Sequence, residues 1–130
     1  MKKKIVLPML AVLLAFNIGK VDAGAQTSSE LPDPLAAGWQ GSAVCKNLHE
    51  DAEQRILKCS FAPGVGHERH FHVPHFGYAL SSGKMRLTDQ NKVREVEIKQ
   101  GSSFTSSGVP WHEVINIGTT TVEYLIVEPK

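Results

Sequence analysis

Pro63-Gly64-Val65-Gly66-His67-Glu68-Arg69-His70-Phe71-His72-Val73-Pro74-His75-Phe76-Gly77-Tyr78-Ala79-Leu80-Ser81-Ser82-Gly83 holds four of the six histidines in a chain of 130 residues. Pro63-Gly64 at one end and Ser81-Ser82-Gly83 at the other are turn sequences. In extended backbone successive side chains point to opposite faces, so His70 and His72 share one face. Two imidazoles on one face need a third from a facing strand to close a metal site. His112 is the candidate.

Outward from this stretch, short extended segments alternate with turn residues. Upstream, Ala43 to His49 and Gln54 to Phe61 read as a hairpin around the polar turn Glu50-Asp51-Ala52-Glu53, with Leu57, Cys59 and Phe61 on one face. Downstream, Phe76, Tyr78 and Leu80 alternate with His75, Gly77 and Ala79, and Met85 and Leu87 alternate with Lys84, Arg86 and Thr88. Val93 to Ile98, a short strand at Phe104, Trp111 to Ile117 and the β-branched run Thr121 to Val127 follow, separated by turn residues. None of these segments carries a helical period. Many short strands at a spacing of about ten residues predict an all-β fold, a sandwich or a closed antiparallel barrel.

The N-terminus reads differently. Lys2, Lys3 and Lys4 precede an apolar run from Ile5 to Phe16, and Val21-Asp22-Ala23 offers a cleavage site. This is the pattern of a secretory signal peptide, residues 1–23, cut after Ala23. The apolar run is shorter than the roughly 20 residues a membrane-spanning helix needs, although an uncleaved anchor is the competing reading. Residues 24–42 are expected to form a flexible leader and a loop in which Trp39 packs onto the barrel, and residues 43–130 the barrel domain. The expected location is the periplasm or the outside of the cell.

Loss of the leader removes Lys2, Lys3, Lys4, Lys20 and Asp22. Of 14 basic and 13 acidic residues, 10 and 12 then remain, a formal charge of −2. Without a basic excess or basic-aromatic interleaving, nucleic acid is not the expected partner, and no membrane contact is expected after cleavage. A small-molecule ligand is. If the hairpin turn centres on Ala52, Cys45 and Cys59 fall opposite each other, as do Lys46 and Lys58, a like-charge pair that disfavours that register. A disulfide and two buried thiols are both open readings.

A metal site of this kind needs neutral imidazoles on converging inward faces, with coordination positions left free. His112 heads a strand whose inward residues would be Val114 and Asn116. Phe76, Met85, Leu87 and Trp111 would line the remaining pocket, with His75 and Asn116 behind the ligands. Tyr78, if inward, would offer its hydroxyl as a proton donor beside the metal. Arg69 and Arg86 are candidates for the pocket rim and an anionic substrate, while Glu68 and Glu113 should point away.

At these residues the chain resembles a single-domain cupin, a small jelly-roll barrel. Gly64, five residues, His70-Phe71-His72, three residues, Phe76, six residues and Gly83 follow the spacing of the family's first motif. Gly101, ten residues, His112, three residues and Asn116 follow the second. The resemblance runs from about Ala43 to the C-terminus and implies that His70, His72 and His112 bind a divalent metal, of which Fe, Mn, Zn, Ni and Cu are all candidates. Phe76 stands where the first motif has Glu, and neither Asp nor Glu occurs from Arg69 to Thr88. Ser107 and Val109 depart from the second motif. Some cupin oxygenases, including thiol and diketone dioxygenases, use three histidines without that Glu. The resemblance therefore implies a metal-dependent oxidoreductase of dioxygenase type, or an isomerase, acting on a small organic molecule. The alternative is a non-enzymatic periplasmic module binding a small ligand or a metal ion. Exposed edge strands give the further expectation of a homodimer.

Overall fold

The computed structural model describes residues 30–130. The expected signal peptide, its cut after Ala23 and residues 24–29 of the leader lie outside the described residues. Those described form antiparallel strands and no helix. One sheet has five strands in the order β3 (Cys45–Glu50), β4 (Gln54–Phe61), β11 (Val122–Pro129), β6 (His75–Ala79) and β9 (Ser103–Ser106). The other has four, in the order β5 (Gly66–His72), β10 (Val109–Asn116), β7 (Gly83–Asp89) and β8 (Val93–Ile98). A small hairpin of β1 (Gly38–Trp39) and β2 (Ser42–Ala43) precedes them.

The inward alternation of each strand builds the core between the sheets. Leu57, Cys59 and Phe61 from β4, Met85 from β7, and Val122 and Ile126 from β11 form one buried cluster. Complete burial of side chains such as Leu57 and Met85 stabilises by about 1.5–3 kcal/mol each. The all-β expectation is met, and the hairpin register pairs Cys45 with Cys59 and Lys46 with Lys58 as a turn centred on Ala52 requires. The two cysteines are bridged. A bulge between Asn47 and His49 shifts the register toward the turn, and Lys58 escapes its like-charged neighbour through Glu123, 3.0 Å away.

Two features of β5 and β10 were hidden in simple alternation. Their pairing runs Val109↔His72, His112↔His70 and Val114↔His67, with a register shift in each interval. The extra residues sit at Pro110-Trp111 on β10 and Glu68-Arg69 on β5. Bulges of this kind re-aim side chains, and here they bring Val109 and His112, and His67 and His70, to the same interior. Pro110, which has no N–H to give a ladder, falls at such a bulge.

The described part of the leader segment is fastened down. Asp33 accepts from Ala37 N through its carbonyl (2.9 Å) and from Ala36 N through Oδ1 (2.8 Å), closing a turn. Pro32 O accepts from Phe71 N on β5 (3.2 Å). The Trp39 ring lies directly on Gly66, where any Cβ would collide with it. Packing of Trp39 on the barrel is thus seen, and it depends on a glycine.

Candidate metal centre

His70 is fully buried on β5, and its Nδ1–H donates to the Glu68 carbonyl at 2.6 Å. That bond fixes the tautomer and leaves Nε2 with a lone pair. The same Nε2 lies 3.0 Å from Nε2 of His72 and 3.0 Å from Nε2 of His112. One lone pair cannot accept a good hydrogen bond from both neighbours, so the cluster is frustrated as three bare imidazoles. A shared cation resolves it. At metal–nitrogen distances of about 2.1 Å, two ligands at right angles around an octahedral ion are about 3.0 Å apart. The three-His cluster brings its ligand atoms within 4.8 Å of one another, and its donor set fits a divalent ion.

Burial, reinforced by the neighbouring imidazoles, holds His70, His112 and the adjacent His67 neutral. It pushes His70 down to about 2, His112 to about 3 and the adjacent His67 to about 4. Neutral imidazole is the form that ligates metal.

Two side chains that sequence reasoning left aside support the cluster from behind. His67 is buried; its Nε2 lies 3.0 Å from the Pro34 carbonyl and its ring packs 3.8 Å from that of His70. Glu128 on β11 is also buried, and its Oε1 lies 3.9 Å from His72 Nδ1. Glu128 Oε2 accepts from Arg55 Nε at 2.7 Å, and Arg55 NH1 donates to Asp33 at 2.7 Å. Burial raises the Glu128 carboxyl, but the neighbouring His72 imidazole and the Arg55 guanidinium together outweigh it and hold it below its ordinary range. No local motif signals Glu128; only the register of β11 against β4 places it opposite Arg55.

The cluster opens into a cavity of about 470 Å³ between the sheets. Met85, Leu87 and Val114 line it. Phe76, Tyr78 and Trp111 do not. On β6 the inward residues are His75, Gly77 and Ala79, and Phe76 and Tyr78 are exposed on the outer face. The cause is Phe104 of β9, which pairs with Gly77 and lays its ring where a Cβ would be. Phe104 therefore supplies the aromatic wall that the sequence assigned to its neighbours, and the Tyr78 hydroxyl faces away from the imidazoles. Trp111 sits at the β10 bulge on the outside, with the Arg69 guanidinium 3.8 Å above its ring.

His75 stands beside His72 with ring centroids 4.5 Å apart, and its Nδ1–H donates to the Val73 carbonyl at 2.8 Å. Asn116 is buried away from the imidazoles. It ties the β10–β11 turn together, donating to Phe61 O and Thr120 O and accepting from Gly118 N. Arg86 pairs with Glu95 on the outer face. The cation that reaches the cavity is Arg94. Gly64 and Gly101, which open the two motifs, both adopt left-handed backbone (φ 79° and 81°), as their turns require.

Solved structures share this architecture. A cupin domain from Bordetella pertussis Tohama I aligns with 67% of this chain and 92% of its own length, at 19% identity and a TM-score of 0.64. A Klebsiella pneumoniae protein with a double-stranded β-helix domain aligns over 69% and 79%, at 15% identity and a TM-score of 0.54. The polyketide cyclase RemF from Streptomyces resistomycificus aligns over 65% and 63%, at 21% identity and a TM-score of 0.52. No family model and no curated protein sequence matches the chain. The barrel has the cupin fold, and it carries a three-His cluster whose ligand atoms lie within 4.8 Å of one another.

Proposed function

We propose that this single cupin barrel holds one divalent metal ion through His70, His72 and His112 and acts on a small, largely apolar organic molecule, in the manner of a three-His dioxygenase. The observation that carries the reading is the convergence of three imidazole Nε2 atoms at the wall of an apolar cavity. When bound, such an ion supplies Lewis-acid polarisation of the substrate and, if redox-active, electrons to dioxygen. The protein's own part is narrower. Three neutral ligands leave the ion's charge uncompensated by any cavity-lining carboxylate and leave coordination positions open. The cavity volume falls within the range of small-molecule sites. Phe104, Leu87 and Met85 give it apolar walls, and His75 Nε2, freed by the bond from Nδ1 to Val73 O, offers a proton acceptor on the same wall.

The N-terminal leader supports export, and the Cys45–Cys59 bridge supports an oxidising destination. The outward Phe76 and Tyr78 support pairing with a second copy of the chain. Cu and Zn outcompete Fe for nitrogen ligands in such a compartment, so the native metal is to be read from protein isolated there.

The test loads the chain anaerobically with Fe(II) and follows dioxygen uptake with thiols, 1,3-diketones and catechols. Uptake of one dioxygen per substrate consumed, both atoms appearing in product, is the expected result. Tight ligand binding without uptake under any metal would reassign the barrel to a binding module.

A further inference from the structure

We propose that Arg94 is the specificity-determining residue of this cavity and that the ligand is an apolar molecule carrying one carboxylate. The inference rests on the cavity reading above and adds the chemical class of the ligand.

Arg94 lies on β8, in register with Leu87 of β7, and lines the same cavity as the imidazoles. It shares the inward side of its strand with Val96 and Ile98, which also line the cavity. The alternate residues Glu95 and Glu97 face outward, toward Lys84. The other described arginines are committed elsewhere: Arg55 between Asp33 and Glu128, Arg69 over Trp111, Arg86 to Glu95.

Its one ion-pair partner is Asp89, at a single 3.3 Å contact, with the Arg94 side chain 44% exposed. Asp89 already accepts the Asn91 and Lys92 N–H groups through Oδ1. A monodentate pair whose guanidinium is this exposed is worth about 1 kcal/mol. The guanidinium therefore turns at small cost toward an incoming anion, for which it has a bidentate fork. Neither Asp nor Glu lines the cavity, and Phe61, Phe104, Val96, Ile98 and Val109 make its walls apolar. Apolar walls accept a hydrocarbon or aromatic body, and one cation at the wall accepts one carboxylate.

The test uses the chain in zinc-loaded and metal-stripped forms, with 4-tert-butylbenzoate and its neutral isostere 4-tert-butylbenzamide as probes, measured by calorimetry. The carboxylate is expected to bind about tenfold or more tightly than the amide. Because a carboxylate also ligates zinc directly, the decisive comparison is in the metal-stripped form: there Arg94→Gln should erase that preference and leave amide affinity unchanged, Arg94→Lys should keep part of it, and neither substitution should change zinc uptake. The preference should survive in the metal-stripped form, which separates this inference from the metal assignment. A chain that takes up no zinc yet shows the Arg94-dependent preference would sink only the metal. Equal binding of both probes, no binding of either, or a preference retained in Arg94→Gln would overturn the assignment.

Discussion

Glu128 Oε1 and His72 Nδ1 face each other 3.9 Å apart, both buried, and neither has another hydrogen-bond partner in the protein. Glu128 is held in place by Arg55, and Arg55 by Asp33. A cation on Nε2 makes the opposite N–H a stronger donor, so this carboxylate is set to orient His72 and fix its tautomer.

Glu128→Gln is therefore expected to weaken metal affinity by roughly 10- to 100-fold while the fold is kept. Competition with a chromophoric chelator measures it, with circular dichroism as the control for folding. An unchanged affinity would mean that the buried pair serves packing alone.

Protonation of the buried imidazoles sets the acid limit of the metal-free barrel. His67 titrates at about 4 in the fold against an ordinary 6.5. Between those values the unfolded chain binds more protons than the folded one, so the contribution is complete above about pH 6.5 and is lost as pH falls toward 4. For His67 alone it is on the order of 3 kcal/mol. The Tm of chelator-treated protein should fall between pH 7 and pH 5, and His67→Phe should flatten that dependence. A pH-independent Tm over this interval would contradict the buried, neutral state of the ring.

The Cys45–Cys59 bridge spans 14 residues of sequence and ties β3 to the core strand β4. A closed loop of that length stabilises by about 3 kcal/mol in chain-entropy terms. Replacing both cysteines by Ser should lower the denaturant midpoint accordingly, and reduction of the wild-type chain should do the same. Equal midpoints would show that the bridge contributes nothing.

Tyr78, expected beside the metal, lies on the outer face of β6, and Phe104 lines the cavity instead. Tyr78→Phe should leave ligand binding in the cavity unchanged, whereas Phe104→Ala, which removes the ring over Gly77, should weaken binding of an apolar probe by about tenfold or more. Calorimetry with the same probe on both variants decides between them. The opposite ranking would restore Tyr78 to the interior.

The difference between these two residues shows what a sequence can carry. Alternation placed His70 with His72, and turn chemistry at Gly64 and Gly101 marked both motifs, because these are local properties of extended chain. The all-β class and the hairpin register around Ala52 are local in the same sense. The inward side of β6 is set by Phe104, 27 residues further on in the sequence, which fills the space over Gly77. His67 joined the cluster through a bulge that alternation does not reveal, and Glu128 and Arg94 through strand pairing across the barrel. Phe76, Tyr78 and Trp111 were expected at the pocket, and all three lie outside its lining.

The most direct measurement is metal content per chain after equilibrium dialysis against one divalent ion, for the wild type and for His70→Ala and His112→Ala. One ion per wild-type chain and none in either folded variant is the expected result. A full complement of metal in both variants would place any bound ion elsewhere and remove the basis for the proposed chemistry.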